Sequence, residues 1–99
     1  MLIVSTIKEF CENKDFKKNW DWSYNPTDKI IRIWNKPEKL KGYGKNCNLE
    51  FKLGDVKEIC IESSELCIAF KDRTMVWLVG YEPRMSVETN VEYNPLLDE

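Results

Sequence analysis

The alternation of apolar residues between Lys57 and Val79 constrains the fold of this 99-residue chain most strongly. Successive side chains of a β-strand point to opposite faces, so apolar residues of one parity share a face. With Ser63-Ser64 as a two-residue turn, Cys60 lies opposite Cys67. The same register collects large aliphatic residues on one face, namely Ile59, Ile61, Leu66 and Ile68.

A second turn at Asp72-Arg73 tests this register. It places Phe70 opposite Met75 on the face already chosen. Further along the same pair of strands, Ile68 then lies opposite Trp77. Because both hairpins agree on one apolar face, the segment predicts an antiparallel β-meander.

A fourth strand precedes the meander, since Leu49, Phe51 and Leu53 alternate with charged residues. A turn around Gly54 would join it to the meander with Phe51 opposite Ile59. The predicted core face then consists of Leu49, Phe51, Leu53, Ile59, Ile61, Leu66, Ile68, Phe70, Met75, Trp77 and Val79. The opposite face is also partly apolar, through Cys60, Cys67, Ala69, Val76 and Leu78. A cover for that face is therefore expected: the helix, the carboxy-terminal tail, a second subunit or a partner.

The amino-terminal part predicts a short helix. Thr6 and Glu9 have the spacing of a capping box, which favours a helix from about Thr6 to Asn13. Residues at helical spacing would pack it on the sheet: Ile7, Phe10 and Cys11.

A tryptophan-rich hairpin follows, with Pro26-Thr27 at the centre of its turn. This turn places Trp22 opposite Ile31 on the core side. On the other side it predicts an exposed ion pair between Asp21 and Arg32. From residue 35 to residue 48 the apolar residues have no regular spacing. This segment is predicted to be a Lys-rich loop, with lysines at 36, 39, 41 and 45.

Together these segments predict an α+β fold: a short N-terminal helix, a β-hairpin, a Lys-rich loop and a four-stranded antiparallel β-meander. The length suits a single domain over residues 1–99. From about residue 84 the chain is acidic and less periodic. We expect part of this tail to dock along the sheet and its last residues to be mobile.

Net charge is −2, which disfavours a protein whose main task is to coat nucleic acid. The apolar run at the amino terminus is too short for a signal-peptide core, so we expect a cytoplasmic protein without a membrane span. The four cysteines show no C-x-x-C spacing and the chain has no histidine. We therefore expect reduced thiols, no metal site and no cofactor.

The same lack of histidine removes the commonest general base, and no glycine-rich phosphate loop is present, so we predict no enzymatic activity. Charged and aromatic residues remain as candidates for binding a partner. They are Glu58, Glu62, Glu65, Glu88 and Glu92, with Lys41, Tyr43 and Lys45 in the Lys-rich loop.

These features favour a small protein-binding module, most concretely an inhibitor of a larger enzyme or an immunity-type protein. One version is a phage or mobile-element protein that disarms a nucleic-acid-directed defence complex, in the manner of anti-CRISPR proteins, with acids occupying a basic channel. The alternative is direct nucleic-acid binding, with Tyr43 stacking on a base while Lys41 and Lys45 meet phosphates. A homodimer is compatible with either hypothesis.

Overall fold

The computed structural model describes residues 2–37 and 47–89. In these residues the chain forms an N-terminal α-helix, α1 (Leu2–Cys11), and antiparallel strands in two sheets. The strands are β1 (Trp20–Asn25), β2 (Ile30–Asn35), β3 (Leu49–Lys52), β4 (Val56–Glu62), β5 (Glu65–Phe70), β6 (Met75–Val79) and β7 (Arg84–Glu88). The first sheet has the order β1-β2-β3 and the second the order β4-β5-β6-β7. The α+β class, with an N-terminal helix, a hairpin and a four-stranded antiparallel meander, is confirmed.

The helix and both sheets share one apolar core. Its fully buried side chains are Ile7, Phe10, Ile31, Ile33, Leu66, Ile68, Val76 and Leu78. The helix contributes Ile7, Phe10 and Cys11, the residues predicted from helical spacing. It therefore packs into the core shared by the two sheets.

The predicted start of the helix is wrong, because α1 begins at Leu2 rather than at Thr6. Thr6 is not a cap: its hydroxyl donates a 2.8 Å hydrogen bond to the carbonyl of Leu2 one turn earlier. Ile3 and Val4 pack against the core, so the apolar residues before Thr6 extend the helix.

Cys11 provides a pH-dependent test of this core. Burial, with smaller contributions from Asp21 and Glu12, raises the pKa of its thiol from 9.0 to about 12. Above pH 9 the unfolded chain loses this proton while the folded chain keeps it, so stability falls as pH rises. We expect the group to cost about 1.4 kcal/mol per pH unit in that range. The free energy of unfolding, measured with urea at several pH values between 9 and 12, should fall less steeply with pH in Cys11→Ala than in the wild type. An equally steep fall would contradict the raised pKa of Cys11.

The first hairpin, β1–β2, is shifted by two residues from the predicted register. Trp22 lies opposite Ile33 rather than Ile31, because the loop has four residues. The side chain of Asn25 accepts from the backbone N–H groups two and three residues ahead, and Lys29 takes a left-handed φ of 57°. A shift of two preserves parity, so the tryptophans keep their predicted face.

The predicted Asp21–Arg32 ion pair is therefore wrong. Arg32 lies opposite Glu50 of β3, and its Nε donates to Glu50 Oε1 at 2.5 Å. The predicted pairing of β3 with the meander is wrong as well, since Phe51 lies opposite Ile31 of β2. A 3-10 turn, Leu53–Asp55, follows β3 directly, and β4 enters the second sheet.

The β4–β5 hairpin has the predicted register, including Cys60 opposite Cys67. Ser63 and Ser64 both adopt left-handed φ values, 49° and 69°, as a two-residue type I′ turn requires. The prediction from parity is confirmed here.

This turn can be improved, because an L-residue other than Gly, Asn or Asp pays about 1–2 kcal/mol in the left-handed region. Replacing Ser63-Ser64 by Asn-Gly is expected to raise the free energy of unfolding by about 0.5–1 kcal/mol. Urea denaturation measures the change. Ser63→Val is the opposing control and should lower stability, and a loss of stability with Asn-Gly would argue against a left-handed turn.

The predicted β5–β6 register is wrong by one residue. Ile68 lies opposite Val76 rather than Trp77, and Leu66 lies opposite Leu78. Val76 and Leu78, predicted for the opposite face, are therefore in the core. The predicted core residues Met75, Trp77 and Val79 lie on the other face of the sheet and are half-buried.

The cause of this one-residue difference is the length of the loop between β5 and β6. The Phe70 N–H donates to the Thr74 carbonyl at 2.9 Å, which closes a three-residue loop instead of the predicted two-residue turn. Asp72 accepts the backbone N–H of Thr74 at 2.9 Å, and hydrogen bonds from Thr74 lower the pKa of that carboxyl. Arg73 follows with a left-handed φ of 74°.

Part of the predicted tail forms a strand, since Arg84–Glu88 is β7 and pairs with β6. The remainder, from residue 90, lies outside the described residues, as do residues 38–46 of the Lys-rich loop. No helix in the described ranges is long and apolar enough to cross a membrane.

Candidate protein-interaction face

The side chains of β4–β7 that point away from the core form three cross-strand rows. The first row is Glu62, Glu65, Val79 and Arg84. The second row is Cys60, Cys67, Trp77 and Ser86. The third row is Glu58, Ala69, Met75 and Glu88. We refer to these twelve residues as the outer face.

The centre of the outer face is apolar. Trp77 lies in the middle row on a central strand, and its neighbours along β6 are Met75 and Val79. Across the sheet, Cys67 and Ala69 are the facing residues of β5. All five are half-buried. A tryptophan at the middle of an accessible apolar patch is a typical feature of a binding surface.

Carboxylates surround this centre. Glu58 and Glu62 are exposed on β4, Glu88 is exposed on β7, and Glu65 is half-buried beside the turn. The structure therefore brings together four of the five acids that the sequence identified as candidate binding residues. Arg84 is the one positively charged residue among the twelve of the outer face, and it forms an exposed 3.7 Å ion pair with Glu82.

The remaining predicted site residues lie outside the described residues. They are Lys41, Tyr43, Lys45 and Glu92. The nucleic-acid hypothesis built on the Lys-rich loop stays a prediction for this reason.

A shallow pocket opens on the outer face next to the indole of Trp77. It is lined by Glu65, Trp77, Val79, Arg84 and Ser86. An apolar ring and valine are thus flanked by a carboxylate on one strand and a guanidinium on another. Such a pocket suits an amphipathic side chain from a partner better than a purely apolar one.

Two thiols and a carboxylate form a cluster at the turn end of the outer face. The ligand atoms of Cys60, Glu62 and Cys67 all lie within 4.8 Å of one another. Both cysteines are free thiols. Burial, followed by the neighbouring Cys60 and then Glu65 and Glu62, raises the pKa of Cys67 to about 11. Cys67 is therefore protonated at neutral pH and is a poor nucleophile.

The end of β6 is fixed by residues 16–20, which lead into β1, and these contacts position the outer face. Trp20 Nε1 donates to the Val79 carbonyl at 2.8 Å, and Asn19 donates to the Gly80 carbonyl at 3.1 Å. The ring of Phe16 packs directly on Gly80. We refer to this contact as the Phe16–Gly80 junction. It connects the short 3-10 helix Lys14–Phe16, which precedes the first sheet, to the end of the strand that carries Trp77.

In comparisons with protein families, curated proteins and solved structures, nothing matches this chain. The functional argument therefore depends on the geometry of the outer face.

Proposed function

We propose that this chain is a small, non-enzymatic protein-binding module that engages its partner through the outer face of β4–β7. The observation that carries the proposal is the position of Trp77, which the β5–β6 register places at the centre of an accessible face. Tryptophan is among the residues most enriched at the energetic centre of protein interfaces. The lack of histidine in the whole chain supports a binding role over catalysis.

The chemistry of the outer face defines the kind of partner. An apolar centre with an acidic rim complements a protein surface that has an apolar patch surrounded by lysine and arginine. Surfaces that receive nucleic acid carry such basic residues. The concrete form of the proposal is an inhibitor of a nucleic-acid-directed complex, acting in the cytoplasm. A phage or mobile-element protein of the anti-CRISPR kind would work in this way.

Trp77→Ala tests the centre of the face. We expect it to weaken partner binding by about 30-fold or more, which corresponds to the loss of about 2 kcal/mol typical of a central tryptophan. Partners are recovered by affinity pull-down with mass spectrometry, and their affinities are then measured on purified proteins. Val87→Ala is the control, because Val87 is 49% exposed but belongs to the opposite side of β7.

Charge reversal tests the rim. The double variant Glu62→Lys/Glu65→Lys should abolish binding at physiological salt. The double variant Glu9→Lys/Glu12→Lys, at exposed positions in α1 and just after its end, should not. Both variants change the net charge from −2 to +2, since each substitution adds two. Wild-type binding should weaken as salt rises, mainly through slower association.

A nuclease step separates this proposal from the nucleic-acid hypothesis. A partner protein retained after nuclease treatment and lost in Trp77→Ala supports the outer face. Recovery of nucleic acid alone, or of a partner that Trp77→Ala and the rim variant still bind fully, would overturn the proposal.

A further inference from the structure

The β4–β5 hairpin has a symmetric arrangement of metal-binding residue types at its closed end. Cys60 lies opposite Cys67, and Glu62 lies opposite Glu65, immediately before and after the Ser63-Ser64 turn. Residues two apart on a strand share a face, so all four side chains belong to the outer face. The sequence from 60 to 67 is thus Cys-x-Glu, a turn, and Glu-x-Cys.

The distances in this hairpin are close to those of a coordination site. Three ligand atoms, from Cys60, Glu62 and Cys67, lie within 4.8 Å of one another. Around a tetrahedral Zn²⁺ with bonds of about 2.3 Å to sulfur and about 2.0–2.2 Å to oxygen, ligand atoms lie roughly 3.5–3.8 Å apart. Side-chain rotation can cover the difference, because Cys60 and Glu62 are exposed.

The site is also open to an ion from solvent and is held by a rigid element. The hairpin has the short type I′ turn described above, and its two strands pair continuously from residue 58 to residue 69. Glu65 lies opposite Glu62 across the hairpin, and its negative charge acts on Cys67. Two thiols with carboxylates select a thiophilic divalent ion over Mg²⁺ or Ca²⁺, which prefer oxygen ligands alone.

We propose that Cys60, Glu62 and Cys67 form a binding site for a thiophilic divalent cation of the Zn²⁺ class. Coordination displaces the protons of both thiols, which are released to solvent. The fourth position is taken by water or by Glu65. The site does not depend on the proposed partner, and it would stand if no partner protein were found.

The test is titration of the reduced, metal-free protein with Co²⁺, which reports its ligands in the absorption spectrum. We expect one equivalent to bind, with a thiolate-to-cobalt charge-transfer band in the near ultraviolet and the visible bands of a tetrahedral ion. Added Zn²⁺ should remove these bands by displacing the cobalt. Absence of the thiolate band, or saturation at half an equivalent through sharing between two chains, would overturn the site.

Two ligand variants and one control test the site. Cys60→Ser should weaken binding by about 100-fold and remove most of the charge-transfer intensity, and Glu62→Gln should weaken it by about tenfold. Cys47→Ser is the matched control: Cys47 is a half-buried free thiol outside the cluster, so binding should be unchanged. Equal binding by wild type and Cys60→Ser would contradict the proposal. Thermal melts without metal verify that each variant is folded, and both ligand substitutions are at exposed positions.

Discussion

Leu78→Lys is expected to unfold the protein, whereas Val79→Lys, at the next residue, is expected to leave it folded. Leu78 is fully buried in the shared core, so a lysine there would place an unpaired charge among apolar side chains. We expect a loss of at least about 4–5 kcal/mol, comparable to the whole stability of a small domain. Val79 lies on the outer face opposite Glu65, where a lysine reaches both water and a carboxylate. Its substitution should cost less than about 1 kcal/mol.

The measurement is circular dichroism with urea unfolding for both variants. The comparison discriminates well, because the observed β5–β6 register and the register expected from a two-residue turn make opposite predictions for these adjacent residues. A two-residue turn after β5 would bury Val79 and expose Leu78, and the destabilised variant would then be Val79→Lys. That result would remove Trp77 from the surface and with it the basis of the proposed function.

The same two residues show what the sequence can predict about this fold. Strand β5 alternates large apolar residues with smaller or charged ones, so its core face can be identified from parity. Strand β6 is apolar at every position, Met-Val-Trp-Leu-Val, and either parity gives an apolar face. Its register therefore depends on the loop. The Asp72 carboxylate accepts a hydrogen bond from the Thr74 N–H and so stabilises the three-residue loop, which periodicity does not reveal.

The candidate site was partly predictable for a related reason. Glu58, Glu62 and Glu65 belong to a hairpin whose turn length was predicted correctly, and their shared face followed from counting. The central Trp77 was missed because it was assigned to the core by the register error. The thiol–carboxylate cluster was missed because the metal-site prediction considered only C-x-x-C spacing and histidine, and this cluster uses neither. The palindromic spacing around Ser63-Ser64 was the signal that could have identified it.

The sequence also failed to predict which strands pair when no hairpin joins them. Alternation shows which face of β3 is apolar, but it carries no information on the neighbouring strand. The assumption that consecutive strands pair holds for many folds and fails between β3 and β4. The chain changes sheets there, and Phe51 still meets Phe70 of the other sheet, with ring centroids 5.2 Å apart in an edge-to-face contact. The core is thus shared although the sheets are separate.

Gly80→Ala is expected to be the most destabilising of the conservative substitutions, at about 3 kcal/mol. A Cβ at this position would lie 2.7 Å from three ring atoms of Phe16, well inside van der Waals contact. The ring has little room to move, because it packs against Phe10 and Tyr81 with centroids 5.2 and 5.1 Å away. Moving Gly80 away from the Phe16 ring would also strain the hydrogen bonds that Asn19 and Trp20 donate to the end of β6. Urea unfolding of the variant measures the cost.

A double-mutant cycle shows whether this cost comes from the ring. Phe16→Leu removes the aromatic atoms that face Gly80, at an expected cost of about 1 kcal/mol from lost packing. In that background the added methyl group has space, so Gly80→Ala should cost about 1–2 kcal/mol less than in the wild type. Additive costs would contradict the Phe16 ring as the source of the destabilisation. A coupling of this size would show that the cost comes from the contact between the Phe16 ring and Gly80, which fixes the end of β6. Partial loss of partner binding in Gly80→Ala, with Trp77 intact, would then follow from the same contact.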